Sequence, residues 1–130
     1  MHSKRHGCKI NIDQYTYLDK VIEHFELQNA NFTPTPLPQG YYSICNNGPV
    51  NPALCTKFQT IIGSLLYIMI GTQPDIASAV MALSKYSANP TKEHISKALY
   101  ICHYVLGTPD AVLCFNGNQD QGIIAFINTD

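Results

Sequence analysis

The stretch KFQTIIGSLLYIMIGTQPDIASAVMALSKYSANPTKEH, residues 57–94, decides the fold. Together with Leu54 just upstream, Phe58, Ile61, Ile62, Leu65, Leu66 and Met69 form one wide apolar stripe at α-helical spacing. Gly63 lies inside the stripe, where it costs about 1 kcal/mol of helix propensity relative to alanine; this predicts the close approach of a neighbouring helix. Gly71 can end the helix. Thr72-Gln73-Pro74-Asp75 then reads as a fresh start, with Thr72 as N-cap, Pro74 in the first turn and Asp75 completing a capping box. Ile76, Ala79, Val80 and Leu83 carry that second helix. A third opens near Asn89-Pro90-Thr91, with Ile95, Ala98, Leu99, Cys102, Val105 and Leu106 inward, and stops at Gly107 and Pro109. The short connections predict that the three helices pack as near neighbours.

Upstream, residues Cys8 to Ile12 alternate apolar and polar as a strand does. Asp13 can cap a helix running to about Asn29, with Leu18, Val21, Ile22 and Phe25 on one face. Asp19, Lys20, Glu23 and Glu26 make its solvated face. From Ala30 to Pro52 the pattern stops. Pro34, Pro36, Pro38, Pro49 and Pro52 fix φ and remove amide donors, so no helix or central strand survives there. A linker of about 20 residues is unusual inside one compact domain and suggests a chain that is not self-contained. Downstream, Val112–Phe115 and Ile123–Ile127 read as strands joined through Asn116-Gly117 and Gly122 into a hairpin. The expected class is α+β, mostly helical: about four helices, a short N-terminal strand and a C-terminal β-hairpin.

The 130 residues amount to about one domain. Charged residues are 13% of the chain, about half the usual share. Eight Lys+Arg against nine Asp+Glu leave a net charge of −1, and Arg5 is the single arginine. That balance argues against a highly charged disordered chain and against an autonomous nucleic-acid binder with a strong basic field. Five cysteines, an odd number with no CxxC, favour a reduced intracellular protein over a disulfide scaffold. The opening MHSKRHGCKI has no apolar core of a signal peptide, so a cytoplasmic or nuclear protein is expected rather than a secreted one. The apolar run from Phe58 to Ile70 falls short of the roughly 18–20 residues that span a bilayer and reads as a buried core helix, with no membrane partner.

Residues that could carry chemistry are few. There is no Gly-rich phosphate loop, no GxSxG and no HExxH, and Asp and Glu occur singly. His2, His6 and Cys8 have the spacing HxxxHxC, but at a chain end they read as frayed polar residues in preference to a metal site. Cys102 falls on an apolar helix face, as an inert core thiol does. Tyr41 and Tyr42 either pack locally or anchor an interaction. Lys92, Ser96, Tyr100 and His103 line one outer stripe of the last helix, with Lys97 beside it. Lys92, Lys97, Tyr100 and His103 are therefore the candidates for contacting a phosphate backbone, against the simpler reading of a solvated face. No catalytic residue, metal site or small-molecule substrate is expected from these patterns.

The order of motifs says more. The segment 57–94 followed by YVLGT, residues 104–108, resembles copia-type retrotransposon polyproteins just after the polymerase palm of the reverse transcriptase. Matching residues are Ile62–Tyr67 of IGSLLY, Gly71-Thr72 and Pro74–Ala77 of GTxPDIA, Asn89-Pro90 with His94 of NPxxxH, and Tyr104 with Gly107-Thr108 of YLxGT. Gln14 and Tyr17 resemble the family's Q-x-x-Y, and Thr35-Pro36-Leu37 its STP linker. The resemblance implies four regions: 1–38 as the end of the palm and start of the thumb, 39–52 as linker, 53–109 as thumb and connection, and 110–130 as a hairpin entering a truncated RNase H domain. It also implies that the polymerase's Tyr-x-Asp-Asp motif, whose carboxylates hold two magnesium ions, is missing from this chain. Asn128 stands where the first metal-binding aspartate of RNase H belongs, and a neutral amide is a poor substitute for a bridging carboxylate.

Other departures share a direction. Gln73 replaces the arginine of GTRPD, and Tyr100, His103 and Leu106 stand at the family's basic positions before the final Gly-Thr. Each removes a cation that could touch template or primer phosphates, the pattern of a remnant released from selection for nucleic-acid binding. The expected function is a non-catalytic polyprotein fragment that needs no cofactor. Two alternatives stand beside it: a helical module that still binds an RNA–DNA hybrid or docks on the remaining polyprotein domains, and a domesticated small helical interaction protein.

Overall fold

In chain order the elements are β1 (His2–His6), β2 (Lys9–Asp13), α1 (Tyr15–His24), α2 (Pro52–Gly71), a 3-10 turn (Pro74–Ile76), α3 (Ala77–Ser84), α4 (Lys92–Leu106) and β3 (Leu113–Phe115). The computed structural model describes residues 1–29, 31–38, 40–41, 43–108 and 111–117. The class is the expected one: four α-helices and a three-stranded antiparallel sheet among the described residues.

The apolar stripes become one core. Phe58, Ile61, Leu65 and Ile68 of α2 are fully buried, against Ile76, Val80 and Leu83 from the turn and α3 and Ala98, Ile101 and Val105 from α4. Leu18 and Val21 bring α1 onto the same cluster. Asn51 caps α2, its Oδ1 accepting from the Ala53 and Leu54 amides at 3.1 and 3.3 Å, while Pro52 opens the first turn where no amide is needed. At 20 residues α2 is long and apolar enough to cross a membrane, longer than the run read from sequence, but its buried side chains make the centre of the helical core.

Several expectations are corrected. The N-terminus is not frayed: β1 pairs antiparallel with β2, from His2 opposite Asp13 to His6 opposite Lys9, around a turn in which Gly7 takes φ +61. Asp13 is not the N-cap residue of α1, although its Oδ1 accepts from the Tyr15 amide, the first of the helix, at 3.4 Å. Gln14 is the N-cap residue, and its side chain turns inward instead of capping. α1 also ends at His24 rather than Asn29, since Glu26 adopts φ +57 and breaks the helix. Thr72 caps no second helix and forms no capping box with Asp75; it terminates α2, with its amide on the Ile68 carbonyl at 3.0 Å. The capping box lies instead at Thr91 and His94. On α4 the inner face includes His94 and Ile101, while Leu99 is only half-buried.

Gly63 faces open space on the exposed side of α2, so no helix approaches it. The close approach is at Gly71, where a methyl group would overlap the side-chain amide of Gln14. The expected hairpin partner of β3, residues 123–127, lies outside the described residues; β3 pairs with β2, Ile12 opposite Leu113 and Ile10 opposite Phe115.

The two glycines should behave oppositely. Gly63→Ala should stabilise the fold by about 0.5–1 kcal/mol through reduced chain entropy. Gly71→Ala should cost about 1–3 kcal/mol, because Gln14 cannot move without losing its buried bonds. Urea midpoints of the two variants check both signs.

Candidate functional site

The motifs quoted above meet in pairs. Gln14 is 2% exposed; its Oε1 accepts from the Thr72 hydroxyl at 2.8 Å and its Nε2 donates to the Tyr67 carbonyl at 3.2 Å. Tyr17 packs on Tyr67, ring centroids 4.5 Å apart. The Q-x-x-Y segment thus closes on the end of IGSLLY and the Gly-Thr that follows.

A second pair joins the turn after α2 to the end of α4. The Tyr104 hydroxyl donates to Asp75 Oδ2 at 2.7 Å. This bond to a carboxylate, with partial burial, raises the Tyr104 phenol above its ordinary range. Beside it Gln73 Nε2 reaches the Thr108 carbonyl and hydroxyl at 3.4 and 3.5 Å. GTQPD and YVLGT therefore touch side by side.

The third pair holds the proline-rich linker. Asn89 Nδ2 donates to the carbonyls of Asn46 and Gly48, both at 3.0 Å, and its Oδ1 accepts from Asn46 Nδ2 at 3.1 Å. The Thr91 amide donates to His94 Nδ1 at 2.9 Å, and the other ring nitrogen, Nε2, meets the Ser43 hydroxyl. Tyr86 stacks on the His94 ring with centroids 4.3 Å apart and donates its hydroxyl to the Ser43 carbonyl at 3.1 Å. Residues 43–48 form a strap clasped by NPxxxH.

The Ser43–His94 contact has the partners of a nucleophile and base but the wrong polarity. An amide N–H can only donate, so Nδ1 carries a lone pair and the neutral ring carries its proton on Nε2. A base must present that lone pair to the serine hydroxyl; here the ring donates toward it. Burial holds the His94 pKa below the ordinary histidine value, with Glu93 and the Ile44 backbone opposing the shift. Cys102 is 1% exposed, and burial pushes its thiol up to about 12, far from thiolate chemistry. Among the described residues no three His, Cys, Asp or Glu side chains gather to hold a metal ion.

The nucleic-acid candidates on α4 are dispersed. Lys92 is exposed, while Tyr100 and His103 are half-buried rather than standing clear of the fold. Lys97 Nζ lies 5.2 Å from the Tyr41 ring centroid and 6.0 Å from that of Tyr100, so its charge is already engaged with aromatic faces. Tyr41 accordingly packs locally; Tyr42 and Asn128 lie outside the described residues. Gln73 and Leu106 are 2% and 7% exposed, so neither position faces a phosphate backbone, and the reading of both as lost phosphate contacts is corrected.

A basic surface missed in the sequence lies on the sheet. Pleating and register put His2, Lys4 and His6 on one face with Lys9, Asn11 and Asp13, and all five β1 residues are exposed. The alternation of β2 after Gly7 was the available signal; the all-polar β1 gives none.

No protein-family model and no solved structure matches the chain. It is 34% identical over 122 residues to the retrovirus-related Pol polyprotein from transposon TNT 1-94 of Nicotiana tabacum, covering 89% of this chain and 9% of that protein. It is 25% identical over 132 residues to a putative transposon Ty5-1 protein of Saccharomyces cerevisiae, covering 97% of this chain and 40% of that one. The chain is homologous to part of retrotransposon polyproteins. A third relative, secreted RxLR effector protein 161 of Plasmopara viticola, is 25% identical over 73 residues, 56% of this chain and 51% of that protein. The chain spans well under half the length of the two transposon proteins.

The buried amide is the most consequential of the pairs. Gln14→Ala should cost about 1–3 kcal/mol by orphaning the Thr72 hydroxyl. A lower urea midpoint at unchanged slope is the expected outcome.

Proposed function

We propose that the chain is a non-catalytic segment of a copia-type retrotransposon polyprotein, from the stretch that leads out of the reverse transcriptase palm, through thumb and connection, toward RNase H. The observation that carries this reading is the pairing of its motifs. Q-x-x-Y with IGSLLY-GT, GTQPD with YVLGT, and NPxxxH with the linker each make direct side-chain contacts. Residues that recur together for packing need no catalytic role to explain them. The reversed polarity of Ser43–His94 and the inert Cys102 support the same view. As a polyprotein segment it would work inside the cell, with the remaining polyprotein domains as partners and without a cofactor of its own. The genomic DNA flanking the reading frame tests the proposal. A Tyr-x-Asp-Asp coding segment upstream and an RNase H continuation downstream are expected; unrelated flanks with a separate promoter would favour a domesticated interaction protein.

A second reading, binding of an RNA–DNA hybrid, is favoured by the basic sheet face rather than by α4. Lys4 and Lys9, flanked by His2 and His6, present cations on an exposed, regularly spaced surface. Each phosphate contact contributes roughly 0.7–0.9 to the slope of log affinity against log salt. If this reading holds, Lys4→Ala with Lys9→Ala should lower the slope in a mobility-shift assay by about 1–2, while Lys92→Ala leaves it unchanged. Absence of salt-sensitive binding by the parent chain would leave the inert segment as the better account.

A further inference from the structure

The strap of residues 43–48 is held by Asn89 at Asn46 and Gly48, and at Ser43 by Tyr86 and by a histidine that has to stay neutral. Thr91 gives its amide proton to His94 Nδ1, which leaves the ring proton on Nε2, toward the Ser43 hydroxyl. The ring is 1% exposed. Four elements face it. Tyr86, from the α3–α4 connection, stacks on it and is the titratable group nearest its face. Phe58 of α2, with its centroid 6.2 Å away, brings no charge. The strap offers the Ser43 hydroxyl and the Ile44 backbone. Glu93, next to it on α4, is the charged group acting on the ring.

We infer that His94 is a proton-sensitive latch: a second proton on its ring releases residues 43–48 from the start of α4 while the helical core stays folded. A proton on Nδ1 would face the Thr91 amide, donor against donor, and would put a full charge on a ring that is 1% exposed; the Nε2 bond to Ser43 survives that proton, so the strap opens because lifting it off the ring lets water reach the charge. The strap is the part that lets go because it buries little. Ile44 is 84% exposed, and Cys45, Asn47 and Gly48 are exposed too, whereas α2, α3 and α4 are joined by fully buried apolar side chains.

The direction follows from linkage. Burial weakens proton binding to the closed His94, and Glu93 only partly offsets this. The open form, with an ordinary histidine pKa of about 6.5, binds the proton more tightly. The strap is therefore held above pH of about 6.5 and loosens below it. One unit lower, near pH 5.5, the opening equilibrium should rise by up to about tenfold. The inference concerns a local device and is independent of the ancestry proposed above.

Proteolysis within residues 43–48 of the full chain tests it, from pH 7.5 to pH 5.5. Rates are normalised to an unstructured peptide of the same sequence, with circular dichroism following the helices. Cleavage should rise by up to tenfold as pH falls, with helix content unchanged. In His94→Gln the glutamine can still accept from the Thr91 amide but does not titrate, so cleavage should not depend on pH. Side-chain nitrogen NMR of the parent chain should find Nδ1 unprotonated at neutral pH. A flat cleavage ratio, the same rise in His94→Gln, an Nδ1-protonated ring, or helix loss at the same pH would each overturn the latch. If His94→Gln does not fold, the parent chain decides. Titration of His94 coupled to shifts in the strap amides supports the latch, and titration near the ordinary value with those amides unmoved overturns it.

Discussion

The buried side-chain amide of Gln14 is what ties the two halves of this molecule together. The sheet contributes little burial of its own, since β1 is exposed along its length and β2 and β3 are at best half-buried. It reaches the helical core through α1, by Leu18 and Val21 and by Gln14 at the junction of β2 and α1, and its third strand follows α4 in the chain. Gln14 can lie against α2 only because Gly71 has no side chain, and it can remain buried because Thr72 and Tyr67 supply a donor and an acceptor. A buried amide without those partners would cost on the order of the bonds themselves. One glycine, one hydroxyl and one carbonyl therefore set the register in which Leu18 and Val21 of α1 meet the core.

The same economy recurs at the other two clasps. Asp75 and Tyr104 join segments 29 residues apart with one charge-assisted bond, and Asn89 uses both ends of its amide to hold a strap more than forty residues upstream. Asp75–Tyr104 adds to helices already joined by buried apolar side chains, whereas residues 43–48 carry too little apolar surface to be placed by burial. The linker is the clearest case. Its prolines and glycines forbid regular structure, so its position on the bundle has to be set by side-chain bonds from α4 and the connection before it.

Much of the helical core was legible from residues 54–106, because a wide apolar stripe at helical spacing has few other ways to be buried. What could not be read was the partner of each polar residue. Thr72 has the right neighbours for an N-cap, and local rules assign it one; the competing partner, Gln14, lies 58 residues away. Gly63 and Gly71 are equivalent by local propensity, and only the position of α1 tells them apart. The hairpin of β1 and β2 was missed for a related reason: a polar strand with neither face buried gives no hydrophobic alternation, and its stability rests on pairing with β2 and on Gly7 taking a left-handed conformation.

The burial of positions 73 and 106 changes the meaning of the chain's low charge. If Gln73 and Leu106 stood on the surface, their neutrality would subtract phosphate contacts. Both are inside. A cation at either would have to be desolvated and paired, and the nearby carboxylate, Asp75, already accepts from Tyr104. Neutral residues relieve that demand, although Gln73 still leaves its Oε1 without a partner. The fold displays cations on the sheet, Lys4, Arg5 and Lys9, and on the helices, Lys20, Lys57 and Lys92. At these two positions the missing charge is thus a property of the packing, and any attraction to a polyanion has to come from the lysines that remain exposed.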